Sequence, residues 1–197
     1  MISKKTGFVF LLALLVLSLA GCGGLRYSQV SPEAKNFHPG RIGILPVDVG
    51  SYEEARGHVD QTVAGVLVDK KWFADVVSGD AIAHQFTANK ELQDVVVGYM
   101  AKLKGVNYSD PHQSKKLGEL LQVDAVLMVN IDDWNYAVEN GEKVAKVGMG
   151  MKLIDVATGK IVWKAGHAIT EKYRVFQPKL TDVAKDLVKE MIAYMPH

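Results

Sequence analysis

The 197 residues suffice for one domain with its own core and are too few for two. With 48% hydrophobic and 23% charged residues the composition is that of a globular chain, which excludes an intrinsically disordered one. The formal net charge of +1 gives no basic excess for nucleic acid, and loss of residues 1–21 with Lys4 and Lys5 would take it to −1.

The N-terminus carries the strongest signal. Met1–Thr6 holds two lysines, Phe8–Leu17 (FVFLLALLVL) is an unbroken apolar run, and small residues lead into Leu19-Ala20-Gly21-Cys22. A short basic region, a short apolar region and a small-residue cleavage site make a secretory signal. The run is too brief to span about 30 Å of hydrocarbon, which takes roughly 20 apolar residues. LAGC resembles the lipobox read by the lipoprotein signal peptidase. That resemblance implies cleavage between Gly21 and Cys22 and transfer of a diacylglyceryl group to the Cys22 sulfur. Cys22 is also the single cysteine, so it has no internal disulfide partner, and acylation would consume its thiol. Each buried methylene contributes about 0.8 kcal/mol, so several acyl chains hold a protein to a membrane where one binds marginally. Gly23 stands where an aspartate would retain an enteric-type lipoprotein in the inner membrane, which points to the outer membrane and a periplasmic-facing domain.

Residues 22–40 (CGGLRYSQVSPEAKNFHPG) read as a flexible tether, with paired glycines, two prolines and no sustained periodicity. A single domain is expected over 41–197. Arg41–Val47 (RIGILPV) reads as a strand ended or pushed to an edge by Pro46. Tyr52–Lys70 reads as a helix, with Val59, Val63, Val66 and Leu67 at three- and four-residue steps, and Phe73–Val77 as a short strand anchored by Trp72 and Phe73. Two helices follow, Asp80–Phe86 and Lys90–Leu103, the latter with Leu92, Val95, Val96, Tyr99 and Leu103 inward and Gly105 as its stop. Asp110-Pro111, with Gln113 at the capping-box position, opens another that turns Leu117, Leu120 and Leu121 inward.

From Asp124 the period changes to two. Ala125–Tyr136 and Lys143–Val156 read as strands joined through Asn140-Gly141, and Thr158-Gly159 turns the chain into a third strand, Lys160–Thr170. On the second, Val147, Met149, Met151 and Leu153 share one face, and Lys146, Gly148, Gly150 and Lys152 the other. Pro178–Met195 closes as an amphipathic helix with Leu180, Val183, Leu187, Met191 and Ile192 on one stripe. The sum is an α/β fold: a mixed sheet with a C-terminal antiparallel meander, packed by helices.

A strand RIGILPV soon after a lipobox, a helix running into LGELLQVDAVLMVNI, a hairpin and then LIDVATGKIVWKA together resemble small lipoproteins with the fold of the TolB amino-terminal domain. A meningococcal surface-antigen family of outer-membrane lipoproteins is the nearer likeness; CsgG, a curli secretion lipoprotein, and LpoB, an activator of a peptidoglycan synthase, are more distant ones. The similarity spans most of residues 41–172 and its motifs are structural. It implies a periplasmic surface for protein partners and no catalytic set. The D…TGK..W segment also resembles a β-propeller turn, but it occurs once, and a propeller needs several copies. A CsgG-like export pore would need lipid-facing hairpins, and Asp132, Asp133, Lys146 and Lys152 argue against such a band on the longest hairpin.

The six histidines (His38, His58, His84, His112, His167 and His197) show no ligand spacing and there is no second cysteine, so no metal is expected, nor any cofactor. His58 and Asp60 lie two apart and face different ways on a helix. Gly148 and Gly150 alternate on a strand and are no phosphate loop; they suit close approach of a helix or partner. Asp132-Asp133 reads as a strand end entering a solvated loop. Trp134 and Tyr136 beside it suit a binding patch, since aromatics are enriched at interface hot spots, and core packing or a sheet-edge position explains them equally well; Trp163, Met149 and Met151 read as core. The reading is a non-enzymatic envelope lipoprotein, partnered by the membrane through Cys22 and by an envelope protein or its own kind. Its candidate interaction patch is Trp134, Tyr136, Gly148 and Gly150. The alternatives are a subunit of a CsgG-like export complex, or an envelope hydrolase gathering His167, Asp132 and Asp133.

Overall fold

The computed structural model describes residues 25–197, so the expectations on Gly21, Cys22 and the apolar run lie outside the described residues. Six strands form one mixed sheet: β1 (Tyr27–Val30), β2 (Arg41–Ile44), β3 (Asp75–Val77), β4 (Ala125–Glu139), β5 (Glu142–Asp155) and β6 (Ile161–Tyr173). Their spatial order is β1-β6-β5-β4-β2-β3. The antiparallel β4-β5-β6 meander is joined to β2 and β3, which run parallel to each other and to the start of β4. Among the described residues five helices cover the sheet: α1 (His58–Lys70), α2 (Gly79–Gln85), α3 (Lys90–Gly105), α4 (Pro111–Leu121) and α5 (Leu180–Ile192). The expected α/β class and meander are both present.

Two cores lie on the two faces. On one, Val63 and Leu67 of α1 and Leu187 and Met191 of α5 pack against Val147, Met149, Met151 and Leu153. On the other, Ile82, Leu92, Tyr99, Leu103 and Leu117 from α2, α3 and α4 cover Val126, Met128 and Ile154. Local chemistry sets the boundaries. Asp110 Oδ1 accepts from the amides of His112 (3.1 Å) and Gln113 (3.3 Å), capping α4 as its sequence promised. The Lys102 ammonium bonded to its other oxygen holds this carboxyl below the ordinary range. Asn140 and Gly141 take φ of 51° and 80°, the left-handed pair that a tight two-residue hairpin requires. Gly118 lies so close under Val156 that a side chain there would displace it, which lets α4 rest on the start of the meander.

Four expectations need correction. The helix over 52–70 begins only at His58; residues Glu53–Ala55 form a 3-10 turn, and Gly57 at φ 75° separates the two. The first strand ends at Ile44, although the Leu45 amide still donates to the Leu127 carbonyl. Segment 22–40 is not a free tether throughout: Tyr27–Val30 is β1, antiparallel to β6, and Pro32–Asn36 is a 3-10 turn that buries Ala34. Trp163 Nε1 donates to Ser28 Oγ at 3.0 Å, and Tyr27 lies over Gly166, so residues with no periodicity of their own are fixed by β6. Asp132-Asp133 is not a strand end but a β-bulge within β4.

Candidate docking surface

The long strands outrun the helices. β4, β5 and β6 have 15, 14 and 13 residues, and α2–α4 cover only the end of their face near Val126 and Ile154. Beyond Met128 no helix covers that face, and part of it forms a cleft of about 730 Å³. Its floor follows the register Asn130–Gly150–Gly166–Tyr27 across four strands. Side chains at Gly150 and Gly166 would collide with Asn130 and with the Tyr27 ring respectively. The glycines therefore keep the floor low and let its neighbours fold over it, where close approach of a helix or partner was expected.

Charge of both signs rings this floor. Lys104 Nζ pairs with Asp48 Oδ2 at 2.6 Å, and Arg26 reaches Asp132 at 3.5 Å. Asn130 Nδ2 donates to Asp132 Oδ1 at 2.6 Å. Lys152 Nζ donates to the Leu103 carbonyl at 2.9 Å, near the C-terminal, partly negative end of α3. Burial lowers the Lys152 ammonium below the ordinary lysine range, and the nearby charge of Lys164 lowers it further. Such a cleft can receive a polar surface that offers charges of both signs.

The four residues proposed as one patch are split. Gly148 and Gly150 belong to the cleft side, whereas the bulge between Ile131 and Asp133 turns Trp134 to the α5 side, opposite Val147. Trp134 is 4% exposed and is core, not a docking residue. Tyr136 is 42% exposed; its hydroxyl donates to the Pro178 carbonyl at 2.8 Å and its ring meets Tyr173 edge-on. Trp163, Met149 and Met151 are buried as expected.

The catalytic grouping does not form either. His167 Nδ1 accepts from the Arg26 amide at 3.1 Å and Nε2 lies 3.6 Å from Glu190, while Asp133 sits beside Lys146. Among the described residues no three His, Cys, Asp or Glu side chains converge to hold a metal ion, and no helix is long and apolar enough to cross a membrane. A surface that sequence reasoning missed lies at the far end of the meander. There Val138, Val175 and Phe176 stand exposed beside Lys143 and Arg174. Val175-Phe176 fell between a strand and a helix and matched neither period.

No protein-family model matches the chain, and no curated protein matches it in sequence. Solved structures do match in fold. A PelC dodecamer from Paraburkholderia phytofirmans aligns over 87% of this chain and 98% of its own at 14% identity, with a TM-score of 0.56. Lipoprotein GNA1162 from Neisseria meningitidis aligns over 79% of this chain and 99% of its own at 19% identity, TM-score 0.52. The hypothetical protein CT253 from Chlamydia trachomatis covers 78% and 94% at 11% identity, TM-score 0.51. At these identities the likeness is one of fold. This chain shares the α/β fold of a meningococcal lipoprotein and of a dodecamer-forming protein.

Proposed function

We propose that the chain is an envelope lipoprotein, held to the outer membrane by acyl chains on Cys22, whose α/β domain assembles with further copies of itself and carries no catalytic chemistry. The observation that carries this reading is the fold match, over 87% of the chain, to a protein that forms a dodecamer. The lipobox and the shared fold with a lipoprotein support the anchor. The part of the sheet that no helix covers supplies a contact surface, because its two-signed cleft can complement a surface made of the same mixed charges.

Analytical ultracentrifugation of the mature protein in mild detergent at micromolar concentration tests the assembly. The expected result is a species of many chains, with Lys164→Glu lowering the assembled fraction about tenfold by reversing a charge in the cleft. A single-chain species at every concentration would overturn it.

A further inference from the structure

Both ring nitrogens of His167 are engaged, and by different elements. Nδ1 accepts from the backbone amide of Arg26 at 3.1 Å. A main-chain N–H can only donate, so Nδ1 is the bare nitrogen and the neutral ring carries its proton on Nε2. Nε2 lies 3.6 Å from Glu190 Oε1 on α5. The imidazole on β6 thus ties the segment leading into β1 on one side and faces a helix carboxylate on the other.

A further proton has one place to go, Nδ1. With it in place two N–H groups point at each other, and the bond to Arg26 is lost. Glu190 acts in the opposite sense, since its carboxylate attracts the cation and keeps the ring against α5. The other surroundings supply no second anchor. Met149 of β5 stands directly opposite, with Val147 and Met151 on either side, none of them charged. On α5, Asp186, one turn before Glu190, is engaged with Lys189 at 3.5 Å. Arg26 brings a second positive charge, its guanidinium 3.5 Å from Asp132. The ring therefore stays and the Arg26 segment gives way.

That segment is built to yield. β1 stands at the edge of the sheet, pairs with β6 alone, and all four of its residues are exposed. Tyr27, Ser28 and Gln29 also line the cleft. We infer that His167 is a pH-sensitive latch. Neutral, it holds Leu25–Val30 to β6; protonated, it remains with Glu190 and lets that segment, and with it one wall of the cleft, loosen. The inference stands apart from the Cys22 anchor and from self-assembly.

Amide hydrogen exchange of the mature protein at pH 8 and pH 5 spans the interval in which histidine side chains charge. Each rate is divided by that of an unstructured peptide at the same pH. Protection of residues 26–30 should fall roughly fivefold at pH 5, the effect of one lost hydrogen bond, while β4 and β5 keep theirs. His167→Asn, which offers an acceptor near the place of Nδ1 and does not titrate, should abolish the difference. Glu190→Gln removes the attraction for the cation and should move the loss to lower pH. Equal protection of residues 26–30 at both pH values in the native protein overturns the inference. So does an undiminished loss in His167→Asn, which would assign it to another group. Nitrogen NMR of the native ring gives an answer that needs no variant: at pH 8 Nδ1 should be bare, and a proton found there overturns the latch.

Discussion

Asp60 is 4% exposed, on the first turn of α1, and its Oδ1 accepts from the Val47 amide at 3.0 Å. Pro46 interrupts the strand just before, so a carboxylate from α1 supplies the acceptor there. Burial raises its pKa, outweighing the amide bonds that lower it. A raised folded value means that the charged form costs stability. The favourable contribution is complete below the unfolded carboxylate value and is lost as pH rises through the raised one. Asp60→Asn keeps an acceptor for Val47 and cannot ionise. Its stability relative to the native protein should therefore climb as pH rises from 3 to 7, in denaturant titrations at each pH. A difference flat with pH would contradict this account. In sequence Asp60 looked like half of an idle His58–Asp60 pair, because the amide that needs it lies 13 residues away. Of the two readings of Trp134, patch and core, the structure takes the core one. Strict alternation would put it on the side of Asn130, and the one extra residue of the bulge moves it into the core.

At the scale of elements, what has its own period or cap was legible: the Asp110 cap of α4, the Asn140-Gly141 turn and the stripe of α5. β1 was not, because its four residues are all exposed and only pairing with β6 makes them a strand. Gly166 is the seat of that pairing, since a side chain there would run into the Tyr27 ring. Gly166→Val, although valine is the better strand former, should lift β1. Amide exchange of residues 27–30 should accelerate about tenfold or more while β4 and β5 keep their protection. Unchanged exchange at β1 would show that the ring gives way and that the glycine is dispensable.

For the whole molecule, the long central strands extend past the helices on one face. The helices cover most of one face and only the Val126 end of the other, leaving a cleft for neighbours and an exposed apolar end at Val138, Val175 and Phe176. The architecture was readable from the switch between helical and alternating periods. The cleft was not, since it arises from the different lengths of strands and helices rather than from any motif. All of this gains a purpose only if lipid, not a spanning helix, holds the protein. Mass spectrometry of the N-terminal peptide from membrane-purified protein tests that directly. It should begin at Cys22 and carry the mass of a diacylglyceryl group with its fatty acids. A peptide that starts elsewhere, or a Cys22 bearing a free thiol, would contradict the account.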